Sequence, residues 1–317
     1  MFANITYAGD NDAAPEELVA GWVNMAKKYE ECGADVIELN MCCPNMSFNV
    51  ELSSGEKTIV TKKTGASLVQ HPELIAGIVR GIKKEIGIPL FVKLSPEGGN
   101  IAQLAKTLYA AGADATGSTA NRLGMPAINL DDPSKAVYPL QEEISMACYS
   151  GAWIKPLALR DTYEIRKLNG PNVFITATGG IGSWQDAAEM IVCGGNLLGV
   201  CTETILSGYD IVRPMIGGLK KYMDSHGYRS VADFCGALVP LLKSSGELTV
   251  RDGYAEVIDP ALDGCGKKCA LCKRICCEFA PSLTEHGTIM INQENCTGCG
   301  ICSQRCPRKN IRMVRKI

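Results

Sequence analysis

Cys296, Cys299, Cys302 and Cys306, followed at once by Pro307, form the run C-x2-C-x2-C-x3-C-P near the end of a chain of 317 residues. Thiolates are soft ligands suited to iron, and this is the ligand spacing of bacterial-type [4Fe-4S] centres. Three cysteines two residues apart can wrap one cube only if the loop between them turns tightly. Gly298 and Gly300 supply the tight turns and Pro307 leads the chain away. The chemistry predicted is electron transfer.

In two-cluster ferredoxins the fourth cysteine of such a run serves the other cube, so one run predicts a second. It stands upstream as Cys265, Cys269, Cys272, Cys276 and Cys277. The spacing is C-x3-C-x2-C-x3-C, one residue long at the first gap, and Cys277 is an alternative to Cys276. Zinc competes as the metal for clustered cysteines. The reading adopted is two [4Fe-4S] clusters, with Cys265, Cys269, Cys272, Cys276, Cys296, Cys299, Cys302 and Cys306 as ligands. Nine of the 16 cysteines lie in this region, and the others are scattered ahead of it. With no signal-peptide pattern and no apolar run long enough to span a bilayer, a disulfide framework is disfavoured and the cytoplasm is the expected compartment. Cys32, Cys148, Cys193 and Cys235 are expected as buried small hydrophobes.

A second group that could do chemistry is Glu38-Leu-Asn-Met-Cys-Cys-Pro-Asn45. A thiol flanked by two amides can move one proton while the amides grip a planar imide. From spacing alone, a buried loop with idle thiols is an equal reading.

These groups need elements to position them. Over residues 1–224, short apolar runs at 3–7, 35–40, 89–94, 114–118, 173–177 and 197–201 alternate with helical patterns at 16–32, 72–86, 101–111, 156–168, 184–192 and 209–223. Nearly continuous apolar strands suit a parallel sheet buried on both faces. Three connections repeat one phrase: Cys32-Gly-Ala-Asp, Ala111-Gly-Ala-Asp and Cys193-Gly-Gly-Asn. In each, a glycine ends a helix and the chain drops into the next strand. The predicted fold class is α/β, of the (β/α)8 TIM-barrel type. About six βα units are found where a closed barrel has eight, so the barrel reads as amino-terminally truncated. No further strand is found in the long loops. Residues 225–262 read as a connector with a short amphipathic helix over Val231–Leu242, and residues 263–317 as a small α+β ferredoxin-like domain.

The net charge of −2 gives no case for nucleic-acid or membrane binding. From Cys296 onward there is no acidic residue, while Arg305, Arg308, Lys309, Arg312, Arg315 and Lys316 are basic. This is either a solvated tail or a docking edge for an acidic redox partner. No G-x-G-x-x-G opens a helix after a strand, so electrons are expected from an NAD(P)H-oxidising flavoprotein subunit or a ferredoxin.

The run N-x-[SC]-C-P-N at Asn40–Asn45 resembles the active-site segment of class 1 dihydroorotate dehydrogenases and of dihydropyrimidine dehydrogenase. Further collinear matches are FVKLSP with Lys93, SGAWIKPLALR from Ser150 to Arg160, TATGGI from Thr176 to Ile181, and VCT from Val200 to Thr202. The resemblance covers about residues 1–245, and the two-cluster module extends it to the dihydropyrimidine dehydrogenase type. It implies an FMN barrel that interconverts a pyrimidine, of the uracil, thymine or orotate type, and its 5,6-dihydro form, with electrons passing between FMN and the clusters. Gly151, Gly179, Gly180, Cys201 and Thr202 would cradle the FMN phosphate, and Lys93 and Asn40 would face the flavin. Asn40, Asn45 and Asn121 would hold the substrate ring, and Cys43 would be the acid/base. Met46–Gln70 would be a lid, and His71 starts the next helix.

Two departures from the family pattern matter. After the strand ending near Ser118 the segment reads GSTANRLG, with Asn121 displaced by about one residue and Arg122 beside it, where it could meet a substrate carboxylate. The two absent βα units would carry a flavin-contacting loop and a further substrate asparagine, so weak FMN binding by this chain alone is expected. The rival readings are a non-catalytic electron carrier on a degenerate barrel, and a flavin oxidoreductase acting on another planar substrate. Homo- and hetero-oligomers both remain open.

Overall fold

The computed structural model describes residues 1–10, 13–42, 62–63, 65–96, 99–119, 121–144, 146–266 and 268–316. They form two compact units, Met1–Leu242 and Lys243–Ile317. Residues 225–262, read from the sequence as a connector, divide between the two.

The first unit runs β1 (Phe2–Ile5), β2 (Gly9–Asp10), α1 (Pro15–Glu31), β3 (Val36–Asn40), β4 (Lys62–Lys63), α2 (Pro72–Glu85), β5 (Leu90–Lys93), α3 (Ile101–Ala110), β6 (Ala115–Gly117), β7 (Arg122–Gly124), β8 (Ala147–Tyr149), α4 (Lys155–Asn169), β9 (Phe174–Thr178), α5 (Trp184–Val192), β10 (Leu197–Gly199), α6 (Thr202–Ser207) and α7 (Val212–His226). Six strands make one parallel sheet in the order β1-β3-β5-β6-β9-β10, the barrel-type α/β arrangement. Two small antiparallel pairs, β2 with β4 and β7 with β8, lie outside it and were not expected from the sequence.

The repeated glycine phrase explains the regular crossovers. Gly33, Gly112 and Gly194 have φ of +89°, +106° and +116°, so each ends its helix in a conformation that a side chain would strain. Two residues later the N–H of Asp35, Asp114 or Asn196 donates to the carbonyl of Met1, Leu90 or Ile175, which starts the next strand. One face of the sheet packs Ile37, Leu39, Leu90 and Val92 against Trp22, Ile75, Ile78, Val79, Ile82, Leu104 and Leu108 from α1, α2 and α3. Alternate residues therefore point to the other face.

Val231–Leu242 is not an α-helix. Only Val231–Asp233 is helical, as a 3-10 turn. Gly236 sits at φ +76°, and the N–H groups of Gly236 and Leu238 donate to Ile191 and Val192 at the end of α5. These backbone donors satisfy the last carbonyls of a neighbouring helix instead of building their own. The apolar pattern is used to bury Phe234. Among the four expected buried cysteines only Cys193 is buried; there burial, then the nearby Glu189, lifts its thiol to about 11. Cys148 and Cys235 are half-buried, and Cys32 is exposed because it caps α1.

The second unit runs β11 (Gly253–Val257), α8 (Leu271–Ile275), β12 (Pro281–Leu283), β13 (Ile289–Ile291), α9 (Ile301–Arg305) and β14 (Ile311–Arg315). Antiparallel pairs β11–β14 and β12–β13 frame the two short helices. Among the described residues no helix is long and apolar enough to cross a membrane.

Candidate active site and iron–sulfur sites

The carboxyl ends of the parallel strands share one rim, and a cavity of about 150 Å³ opens there. Lys93 reaches it from β5, Asn121 from the loop after β6, and Gly151 from the turn before α4. Gly179 and Gly180 follow β9, and Cys201 and Thr202 follow β10. These residues are far apart in sequence and come together here. Asn40 is Lys93's register partner across β3 and β5, but its Oδ1 accepts the Cys42 N–H at 3.3 Å and it does not line the cavity. Cys43 and Asn45 lie outside the described residues. So does most of Met46–Gln70, whose last turn is a 3-10 helix at Gly65–Gln70 leading to His71, the residue capping α2.

The cavity walls close over a space that only glycine leaves open. Gly180 has φ +73°, and a Cβ there would stand 2.6 Å from Lys155 Cβ and 2.9 Å from its backbone. Gly151 has φ +97°, and a Cβ would meet Thr202 Cγ2 at 3.3 Å. The hydroxyl residues Ser150, Thr178 and Thr202 line the same space: Ser150 Oγ is 3.1 Å from Thr202 Oγ1, and Thr178 Oγ1 is 3.1 Å from Ser118 Oγ behind it. Close-approaching backbone and hydroxyl donors suit a phosphate ester.

The glycine turn is braced from behind. Lys155 Nζ contacts Asp186 at 2.6 Å and Glu189 at 2.9 Å, and these partners raise its pKa. Asp186 accepts from Ser183 Oγ at 2.7 Å and Gly182 N–H at 3.0 Å. Burial opposes its charge, but the bonds from Lys155, Ser183 and Gly182 hold its carboxyl below the ordinary range. One feature on this wall was not foreseen from the sequence. Glu203 lines the same cavity, and its Oε1 accepts the Ser207 hydroxyl at 2.5 Å.

Arg122 does not line this cavity. Its guanidinium bonds the buried Asp161 at 2.5 Å, and Asp161 also takes Thr119 Oγ1 at 2.8 Å and Arg160 at 2.8 Å. Thr119 and Arg122 flank Asn121, so Asp161 on α4 clamps the loop that brings Asn121 to the cavity. On the sheet face below the rim, Asn4 Nδ2 donates to Glu38 Oε2 at 2.5 Å across β1 and β3. Burial raises the Glu38 pKa, against the Asn4 bond and the charge of Lys93.

The cysteine-rich unit is organised as two similar halves. Cys272 and Cys302 each occupy the second position of a five-residue helix, and Cys276 and Cys306 cap the ends of α8 and α9. That equivalence aligns Cys276, rather than the exposed Cys277, with Cys306. The longer first gap is taken up at Gly266 (φ +69°), where a Cβ would lie 1.8 Å from the Gly287 carbonyl oxygen. Cys265, Cys269, Cys272 and Cys306 line one pocket with apolar walls from Val257, Leu271, Ile289 and Ile311. Burial raises the Cys272 thiol, and nearby Cys306 and Cys269 add to it. Burial likewise raises Cys302, and nearby Cys296, Cys299 and Cys272 add to it. The Ala255 N–H donates to Cys296 Sγ at 3.3 Å. Among the described residues no ligand-type trio closes tightly enough for a single metal ion. A cube instead binds each thiolate at a separate iron, so it asks for a wider ligand set.

Residues 3–223 match the family model for dihydroorotate dehydrogenase, and residues 289–312 match that for the 4Fe-4S binding domain. The chain is 31% identical over 217 residues to the NAD-dependent dihydropyrimidine dehydrogenase subunit PreA of Escherichia coli (strain K12), covering 68% of this chain and 49% of the relative. It is 32% identical over 223 residues to the dihydroorotate dehydrogenase B (NAD(+)) catalytic subunit of Pyrococcus furiosus, covering 70% and 65%. The Thermoplasma acidophilum counterpart is 29% identical over 219 residues, covering 69% and 64%. The chain thus spans about half to two thirds of the length of these relatives.

Proposed function

Because the chain belongs to the dihydroorotate dehydrogenase family and carries a 4Fe-4S binding domain, we propose that it is the catalytic part of an iron–sulfur flavoprotein interconverting a pyrimidine and its 5,6-dihydro form. The observation that carries this reading is the rim cavity, where Lys93, Asn121 and the Gly151 and Gly179–Gly180 turns converge. The family implies FMN, and the residues fit it. Gly151, Gly179, Gly180, Cys201 and Thr202 would hold the phosphate, and Lys93 would face the ring. When bound, FMN supplies hydride transfer at ring carbon 6 and exchanges electrons with one-electron carriers.

The chain's own residues do the rest. Lys93 places positive charge where the site must tolerate negative charge. Asn45 and Asn121 would orient the imide edge through paired donors and acceptors, and Asn40, whose Oδ1 takes the Cys42 N–H, would add an amide donor. Cys43 gives a proton to carbon 5 when the ring is reduced and takes it when the ring is oxidised. A thiol with an ordinary pKa of about 8.5 can serve in either direction near neutral pH. Two [4Fe-4S] clusters would be held by Cys265, Cys269, Cys272 and Cys306, and by Cys276, Cys296, Cys299 and Cys302. Electrons would come from an NAD(P)H-oxidising flavoprotein subunit or a ferredoxin, with the basic segment from Arg305 to Lys316 steering an acidic partner. A neutral uracil-type ring is favoured over orotate because Arg122, the cation beside Asn121, does not line the cavity and is turned to Asp161.

The test is an anaerobic assay of the full chain supplied with FMN and reduced viologen, with uracil, thymine and orotate as acceptors. Reduction of uracil or thymine is expected, and Cys43→Ala should slow it by about a hundredfold while bound flavin is unchanged. Flavin and iron bound with no pyrimidine turned over would favour the electron-carrier reading instead.

A further inference from the structure

Among the described residues of the cysteine-rich unit, Asn310 is the buried polar side chain, 5% exposed, and it stands between Cys306 and β14. Its backbone N–H donates to Cys306 Sγ at 3.3 Å, and its Nδ2 donates to Cys265 Sγ at 3.5 Å. One residue therefore faces sulfurs from both cysteine runs. Its remaining bonds hold the chain ahead of Cys265: Nδ2 donates to the Asp259 carbonyl at 2.7 Å, and Oδ1 accepts the Asp259 N–H at 2.9 Å. A primary amide has two N–H groups, so the carbonyl and sulfur bonds coexist. Asn310 lines the pocket that it shares with Cys265, Cys269, Cys272 and Cys306. At Cys296 the donor is a backbone N–H, from Ala255.

We propose that Asn310 sets the reduction potential of the iron–sulfur centre at Cys265, Cys269, Cys272 and Cys306, raising it through the side-chain bond to Cys265. The proposal rests on the two-cluster reading above. Reduction adds one electron to a centre and negative charge to its sulfurs. A hydrogen-bond donor stabilises that charge more in the reduced form than in the oxidised one, which moves the potential up. The apolar walls leave the interaction weakly screened. Asn310 thereby favours resting an added electron on this centre rather than on the one at Cys296, Cys299 and Cys302.

The test is a spectroscopically monitored redox titration of the anaerobic full chain, after its iron has been counted. In Asn310→Ala, with iron content unchanged, one of two midpoint potentials should fall and the other stay. In Asn310→Asp, which keeps the acceptor for Asp259 but replaces a donor with negative charge, the same potential should fall further. Full iron with both potentials unchanged, or both shifted equally, overturns the proposal. A wild-type chain holding iron for a single centre overturns the two-cluster reading, and the assignment of Asn310 with it. Should the variants lose iron, the unsubstituted chain with asparagine ¹⁵N-labelled at the side chain decides. A ¹⁵N coupling to one reduced centre is expected, and its absence overturns the proposal.

Discussion

Asp161 is almost fully buried, and its charge is met by Arg122, Arg160 and the Thr119 hydroxyl. Removing it strands a mostly buried guanidinium, so Asp161→Ala should cost about 3 kcal/mol, read as a lower denaturant midpoint. This partnership was hidden in the sequence, which puts Arg122 beside Asn121 but gives no sign that its partner waits on α4. Glu38 is the opposite case, a carboxyl that burial drives toward neutrality. Its folded pKa lies above its unfolded value, so the folded state holds the proton longer. Its unfavourable contribution is absent below the ordinary carboxylate range and grows as pH rises toward the folded pKa. Glu38→Gln should therefore match the wild type in stability at low pH and exceed it at neutral pH. A midpoint difference that does not change with pH would count against this. Glu203 shares the cavity with the proposed phosphate site. Glu203→Gln should tighten FMN binding several-fold at low salt, with the gain shrinking as salt is added. Equal affinities at low salt would place the phosphate elsewhere.

At the scale of elements, the turn after β9 is where backbone geometry and ligand chemistry meet. Gly180→Ala must place a methyl against the start of α4 at positive φ, at a cost of about 1–2 kcal/mol. The expected result is a chain that keeps its iron and loses FMN on gel filtration; normal flavin retention would show that this turn does not hold the phosphate. The parallel strands and their helices were legible in the sequence because each βα unit carries an apolar run and a helical pattern, and three of the helices, α1, α3 and α5, are closed by a glycine at positive φ. Gly33, Gly112 and Gly194 repeat that signal three times. The stretch after α7 was misread because its apolar spacing is equally compatible with a helix. What decides is the use of its N–H groups to cap α5, a tertiary bond that leaves no mark on local periodicity. The β7–β8 pair was missed because its strands are three residues each and lie outside the main sheet.

Across the whole molecule, the sequence signal was strongest where ligand spacing is rigid. The run from Cys296 to Cys306 matches the 4Fe-4S binding domain directly. The run from Cys265 to Cys276, with its longer gap, becomes comparable only when α8 and α9 are seen to place Cys276 and Cys306 alike. Asn310 was invisible beforehand, since its meaning depends on two sulfurs brought together by folding. If one chain carries a flavin site and two iron–sulfur centres, the anaerobic chain exposed to excess FMN and then freed of unbound flavin should retain about eight irons, about eight acid-labile sulfides and about one FMN. About four irons, or intact clusters with no retained flavin, would rule that arrangement out.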